Sequence, residues 1–139
     1  MRFAPALFSI FLPGCGQIFN GHVLRGILFL LIECVINVAG RINAAIHADF
    51  MGRHQEALAI VNYDYMLFYP PFYVYVTWDA VYHARPGLRK GPSAVLFLIA
   101  GIAGEMGAIY ADLLPFPTLT IGLIMIIPML IGTAIVARK

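Results

Sequence analysis

Charged residues are scarce in this chain of 139 residues: they make up 12% of it, whereas hydrophobic residues make up 61%. Soluble domains average about 25% charged and 45–50% apolar residues. A water-soluble fold of this length leaves a large share of its residues at the surface, so it could not hide this much apolar side chain. We therefore expect lipid to cover the excess, in an all-α membrane protein.

Cysteines and catalytic motifs are scarce too. The two cysteines, Cys15 and Cys34, both lie in apolar sequence, which argues against a disulfide framework. The net charge of +2 comes from scattered basic residues, so we expect no nucleic-acid partner. The sequence has no Gly-x-Ser-x-Gly motif and no Walker-type phosphate loop, so we expect neither a cofactor nor an enzymatic activity.

Long apolar stretches, by contrast, are abundant. A spanning helix needs about 20 predominantly apolar residues. A shorter apolar run, 3–12, would reach only about 15 Å as a helix, half of a bilayer. The sequence thus predicts one polytopic domain over 1–139, with four transmembrane helices and a short re-entrant or interfacial helix at the start. The predicted spans are about 23–46, 66–84, 93–111 and 118–137, and 47–65 is the long outer loop.

Basic residues indicate the topology. If 3–12 does not cross, the start of the chain, the loop 85–92 and the end of the chain share one side. Seven basic residues then lie on that side and one on the other, an asymmetry typical of cytoplasmic loops. We expect a multi-pass protein of the inner or plasma membrane with both termini cytoplasmic. The seven are Arg2, Arg25, Arg85, Arg89, Lys90, Arg138 and Lys139, against Arg53.

A glycine-rich stretch, "FLPGCGQIFNGH" (11–22), interrupts the apolar start. Proline removes a backbone donor, and glycines allow positive φ and close approach of other backbone. We predict a tight turn over 13–22 that leads into the first span, with polar side chains bonding its free backbone groups. The alternative is one long kinked helix through 3–22. The turn residues are Pro13, Gly14, Gly16, Gln17, Asn20 and Gly21, followed by His22.

The same segment permits a second interpretation. "MRFAPALFSIFLPGC" has the basic start, apolar run and terminal cysteine of a lipoprotein signal, which would make Cys15 the lipidated residue. Pro13, two positions before the cysteine, fits that pattern poorly. We expect the segment to be retained.

Two pieces of the sequence, "LPGCGQIFNGHVLRGILF" and "VTWDAVYHA", are similar to the two-transmembrane-helix (TM-two-type) domain and related small bacterial membrane proteins. The first piece resembles their glycine turn, aromatic residue and basic-Gly step into an apolar helix. The second resembles their tryptophan-containing segment that ends in an aspartate, here Asp79. The resemblance implies a small bacterial integral membrane protein and no particular reaction.

Ionisable residues at membrane depth are costly unless they are paired. Glu33, Asn37 and Arg41 lie four residues apart, so they form one polar stripe on the first span. Counting residues from the helix ends, we predict that Arg25 pairs with Asp79 near the inner surface.

Two more groups lie deep in the predicted bilayer. We predict that Arg41 pairs with Glu105, which leaves Glu33 without a cation. Such groups either fix the register of the helices or line a proton or cation path through Glu33 and Glu105.

Small residues recur at spacing four on the third span, at Ala100, Gly104 and Ala108. This spacing lets helices approach closely. Two interpretations stay open: a contact within the protein, or a self-association face.

Two remaining clusters carry little chemistry. His47, Asp49, His54 and Glu56 in the outer loop match no familiar ligand spacing, so we expect no metal. Cys15 and His22 could imitate a nucleophile and base, but a glycine turn explains both.

The predicted function is that of a non-enzymatic membrane subunit or scaffold. It would act in the lipid bilayer by helix–helix association, as a homo-oligomer or in a larger membrane complex. The alternative is a small proton or cation channel that uses the intramembrane carboxylates Glu33 and Glu105.

Overall fold

The computed structural model describes residues 3–85 and 87–138, without the side chain of Arg138. All regular elements in these ranges are helical: α1 (Ala4–Phe11), α2 (Cys15–Phe19), α3 (Val23–Gly40), α4 (Ile42–Phe50), α5 (His54–Ile60), α6 (Tyr63–Met66), α7 (Tyr69–His83), α8 (Lys90–Ile109), a short 3-10 helix (Ala111–Leu113) and α9 (Pro117–Arg138). The predicted positions of the Arg2, Arg138 and Lys139 side chains lie outside the described residues.

Three helices, α3, α8 and α9, are long and apolar enough to cross a membrane. They contain 18, 20 and 22 residues. At 1.5 Å per residue these lengths correspond to about 27, 30 and 33 Å, close to the hydrocarbon thickness of a bilayer. Pro128 lies inside α9, which continues through it.

The first predicted span, 23–46, is shorter than expected. Arg41 has a φ of 55°, a left-handed conformation that ends α3 at Gly40, and α4 then starts in a new direction. The carbonyl of Gly40 accepts a hydrogen bond from the backbone N–H of Asn62 at 3.0 Å. The chain therefore turns aside at Arg41, and residues 42–50 do not prolong the span.

The second predicted span, 66–84, corresponds to α7. Pro70 and Pro71 occupy the first turn of α7, where a missing N–H breaks no helical hydrogen bond. They therefore start the helix and do not kink it. With 15 residues α7 is only about 22 Å long. It is also the most enclosed of the long helices, because its residues contact α1, α2, α3, α8 and α9.

The four long helices alternate in direction. Along α3 and α7, Glu33 meets Tyr69, and the Phe29 and Phe72 rings lie 6.2 Å apart, so the two helices run antiparallel. Contacts of Gly101 with Val74, nearer the start of α7, and of Ser93 with Trp78, nearer its end, give the same relation between α7 and α8.

Helices α8 and α9 pack along much of their length. Gly104 faces Met125, and Phe97 faces Gly132, which again requires antiparallel axes. The result is an up-down-up-down bundle, α3–α7–α8–α9.

Before α3 the chain forms a helical hairpin, α1–α2. Leu12 is extended and Gly14 has a φ of 103°, so α1 and α2 are not one continuous helix. The predicted turn 13–22 is itself partly helical, because it contains α2. At its tip, Gly14 packs against Gly26 and Leu30 of α3.

Hydrogen bonds identify the two ends of the bundle. At the basic end, the Arg85 guanidinium donates to the carbonyls of Val136 and Ala137 in the last turn of α9. At the opposite end, the Asp49 carboxylate accepts from the backbone N–H of Thr118, in the first turn of α9. The predicted outer loop 47–65 belongs to this second end, and much of it is helical.

Candidate functional site

Asp79 on α7 is the centre of a buried polar cluster. The residue is 1% exposed. Oδ2 accepts a hydrogen bond from Gln17 Nε2 at 3.0 Å, and Oδ1 lies 3.3 Å from Arg25 Nη1. The structure thus brings together Arg25 and Asp79, the pair predicted from helix depth. A half-exposed arginine here neutralises a carboxylate that has no access to solvent.

His83 extends this cluster toward the basic end. Its Nδ1 lies 2.9 Å from the carbonyl of Asp79, and its Nε2 lies 3.1 Å from Arg25 Nη1. One neutral tautomer, with the proton on Nδ1, satisfies both contacts. The ring also packs edge-on against His22 at 5.1 Å. Both oxygens of the buried Asp79 carboxylate therefore have partners within the protein.

Gln17 attaches the hairpin to α7. It is fully buried, and its Nε2 donates to the carbonyl of Val76 at 2.7 Å. Its Oε1 accepts from Ser9 Oγ at 3.2 Å, and Ser9 Oγ in turn accepts from the N–H of Gly16. We had expected Gln17 to bond the free backbone of its own turn. It bonds a helix 59 residues further along the chain instead.

Two further turn residues fit α7 closely. Asn20 Nδ2 donates to the carbonyl of Ala80 at 2.7 Å. A Cβ atom on Gly16 would lie 2.1 Å from the carbonyl oxygen of Pro5 and 2.8 Å from Cβ of Ala80. Only glycine fits there, because the α1 backbone at Pro5 and the Ala80 side chain of α7 occupy the space that a methyl group would need. Gly21 has a φ of 85° and open space around it, so it serves the turn alone.

Glu33 lies on the side of α3 that faces α7 and is 6% exposed. Its Oε1 accepts a hydrogen bond from Tyr69 Oη at 3.2 Å, and its Oε2 has no partner. Asn37, the next residue of the predicted polar stripe, does not point into the bundle. It forms hydrogen bonds with Asn43 at 3.3 Å instead. Arg41 is exposed at the end of α3.

Glu105 on α8 is not paired with Arg41, contrary to our prediction. Its Oε2 is screened and has no hydrogen-bond partner among the described residues. The side chain lines a groove between α7 and α8. The prediction was wrong because it assumed one straight helix over 23–46, whereas α3 ends before Arg41.

The small residues Ala100, Gly104 and Ala108 are all buried. A Cβ on Gly104 would lie 2.5 Å from Met125 Cγ and 3.2 Å from Pro70 Cβ. The stripe therefore forms a contact within the bundle, against α9 and the start of α7.

Asp49, which the sequence places in the outer loop, forms a second buried acidic centre. It is 1% exposed, and its Oδ1 lies 2.5 Å from His54 Nδ1. Oδ2 accepts from the backbone N–H of Thr118 at 2.8 Å and from its hydroxyl. A carboxylate here caps the first turn of α9. No local signal in the sequence indicates this contact, because Thr118 is 69 residues away.

Opposing effects act on the Asp49 carboxyl, which lies in the loop outside the predicted spans. Burial raises its pKa, and hydrogen bonds from Thr118 and His54 lower it. The bonds prevail, so the pKa is below the ordinary value for aspartate.

Of the other two residues in that loop cluster, His47 is exposed and Glu56 has a separate partner. Glu56 pairs with Arg53 at 2.9 Å on the surface. Across the described ranges, no three His, Cys, Asp or Glu side chains converge in a group that could hold a metal ion.

Comparison of the chain with family models, with curated proteins and with solved structures gave no match.

Proposed function

We propose that the chain is a four-span membrane protein with a re-entrant hairpin, and that its termini lie on the cytoplasmic side. The observation that supports a location in the membrane is the apolar outer surface of the protein. Phe11 is 89% exposed and Leu24 is 83% exposed, and similar apolar side chains cover the outside of α8 and α9. Surface of this kind is stable against lipid and costly in water.

The fourth crossing in this proposal is α7. It runs between the two ends of the bundle, antiparallel to α3 and α8 on either side of it. Its helical part is short, but α6 and a turn precede it, so the segment from Tyr63 to His83 is long enough for the bilayer. Enclosure by its neighbours also shields its polar atoms from lipid.

The hairpin α1–α2 is re-entrant in the same proposal. Its tip contacts Leu30, seven residues, or about 10 Å, beyond the start of α3 at Val23. The Tyr73 hydroxyl donates to the carbonyl of Ile10, so α1 reaches well above the basic end. Non-helical backbone at such depth is tolerated only where protein covers it, and the bonds of Ser9 and Gln17 provide that cover.

The basic end of the bundle supports a cytoplasmic position of the termini. Arg25, Arg85, Arg89 and Lys90 lie on loops and helix starts at this end, and Arg53 lies at the other. Cytoplasmic loops carry such an excess of arginine and lysine. The two segments that resemble the TM-two-type domain also meet here, at Asp79, and kinship to that family is part of the proposal.

We infer that the protein acts without catalysis, as a membrane scaffold or subunit that binds another helix. The contact surface in this proposal is the outer face of α3, composed of Leu24, Leu28, Leu31, Val35 and Val38. These side chains are 54–83% exposed and repeat at alternating spacings of four and three. This is the repeat that packs knobs into holes against a partner helix.

The channel alternative has weaker support. Glu33 and Glu105 do each carry an oxygen without a partner. However, Glu33 bonds Tyr69 at the interface of α3 and α7, whereas Glu105 lines the groove between α7 and α8. No hydrogen bond between described side chains links the two, so a shared proton path lacks its intermediate steps.

Native cysteines test the association directly. Cys34 is exposed beside the α3 outer face, and Cys15 is half-buried in the hairpin. In native membranes treated with a short bismaleimide, we expect Cys15→Ser to form a cross-linked dimer and Cys34→Ser to form none. The matched control places the single thiol on α9. In a background without native cysteines, Ile127→Cys has its thiol at an exposed position of α9, and we expect this variant to remain monomeric.

A dimer that persists in Cys34→Ser, or no adduct of Cys34 with any protein, would contradict the proposed α3 contact. An adduct between Cys34 and a different protein would select the larger-complex form of the proposal over the homo-oligomer.

A further inference from the structure

The groove between α7 and α8 is a defined cavity, with a volume of about 420 Å³. This lies within the range of small-molecule sites. Its walls are mainly apolar and aromatic. The residues that carry the inference are Val74, Tyr75, Trp78, Phe97, Gly101 and Glu105.

Among the described residues that line the groove, Glu105 is the only acidic or basic one. Its Oε2 is shielded from the surroundings and has no hydrogen-bond partner among the described residues. A shielded acceptor without a donor costs free energy. Among the residues that the structure describes, no cationic side chain lines the groove, so the Glu105 carboxyl has no counter-ion there.

The shape of the groove favours a slender occupant. From Ala94 to Glu105 its wall on α8 covers eleven residue steps, or about 16 Å. A helix of that length is about 10 Å across and would need far more room than this cavity offers. At the end away from Glu105, the Trp78 indole donates to Ser93 Oγ at 3.2 Å and so links α7 to α8.

We propose that the α7–α8 groove binds an amphipathic amine, with its ammonium group at Glu105 and its apolar body extended toward Trp78. The ammonium supplies the counter-ion and the N–H donor that the Glu105 carboxyl lacks in the groove, and the charge of the carboxylate favours a cation. The aromatic rings of Tyr75 and Trp78 accommodate the apolar body. A neutral lipid chain fills the same space but leaves the Glu105 carboxyl without a counter-ion, and an anion is repelled. This site does not depend on the proposed scaffold function.

Trp78 provides the readout, because it is the only tryptophan in the chain. In nanodiscs of zwitterionic lipid, 12-bromododecylamine carries its bromine, a fluorescence quencher, at the end opposite the ammonium. Bound as proposed, it places the bromine beside Trp78. The matched probes are 12-bromododecanol and 12-bromododecanoate, which share the chain and the bromine but present a neutral or a negative head.

With the wild-type protein, we expect half-maximal quenching at a roughly tenfold lower concentration of the amine than of the alcohol, after correction for partition into protein-free nanodiscs. Glu105→Gln should remove this difference. Glu33→Gln, at the other carboxyl with an unpartnered oxygen, should preserve it.

A further variant tests where the alkyl chain of the ligand lies. A Cβ on Gly101 meets Val74 and Pro71 only at 3.8–3.9 Å, so Gly101→Leu can place its side chain in the groove, and saturable quenching by every probe should be lost. Equal quenching by the three probes in the wild type would overturn the proposal without any variant. An amine preference that survives Glu105→Gln would overturn it as well.

Discussion

At the residue scale, buried charges hold distant segments together. Asp79 accepts from Gln17 of the hairpin and pairs with Arg25 of α3, so three elements meet at one carboxylate. The Arg25 contact could be predicted, because both residues lie at similar depth on neighbouring helices. The Gln17 contact could not, since nothing local in the sequence says which of the distant backbone groups a turn amide will reach.

Asp79→Asn tests this arrangement. It removes the negative charge that Arg25 neutralises, and hydrogen bonds to charged groups contribute about 1.5–3 kcal/mol. We expect the free energy of unfolding in detergent to fall by about 2 kcal/mol, measured by thermal or denaturant unfolding. Asp112→Asn, in the exposed 3-10 helix, is the matched control. Equal stability of Asp79→Asn and the control would be inconsistent with a stabilising role for the cluster.

Asp49 gives a pH-dependent prediction. Its folded-state pKa is lowered, so its stabilisation is fully present above the unfolded value of about 3.9 and is lost as the pH falls through the folded value. The stability deficit of Asp49→Asn relative to wild type should therefore be large at pH 7 and small near pH 2. Thermal unfolding in detergent across this range measures it. A deficit that does not change with pH would refute the assignment.

At the element scale, apolar length predicts helices well and their ends poorly. The predicted segments 93–111 and 118–137 correspond to α8 and α9 within a few residues. The prediction of one helix over 23–46 was wrong from Arg41 onward. A left-handed residue in the middle of helix-forming sequence depends on tertiary contacts, which the sequence does not show. Spacing likewise predicted the close approach at Gly104, but not that its partner is Met125 of α9.

The docking of the hairpin makes a sharp prediction for two glycines. Gly16→Ala places a methyl group within 2.1 Å of the Pro5 carbonyl oxygen, and overpacking of this kind costs about 1–3 kcal/mol. We expect a lower melting temperature and faster maleimide labelling of Cys15, in a Cys34→Ser background. Gly91→Ala, where a Cβ meets nothing, is the control and should change neither. Unaltered labelling of Cys15 in Gly16→Ala would show that the hairpin does not depend on this close contact.

At the scale of the whole molecule, the hydrophobic composition alone predicts an outer surface that is covered by lipid. A chain that is 61% hydrophobic folds into a bundle whose outer faces are apolar along α3, α8 and α9. Three of its helices are long and apolar enough to cross a membrane. Whether α7 makes the fourth crossing decides on which side each loop lies, and therefore the whole topology.

Side-specific labelling of two single cysteines tests this topology most directly. Gln55→Cys and Arg89→Cys, both at exposed positions on either side of α7 in the chain, are made in a background without native cysteines and expressed in intact cells. An impermeant maleimide added outside should label residue 55 at once and residue 89 only after the membrane is opened. Labelling of both positions from the same side would contradict the crossing by α7 and, with it, the four-span architecture.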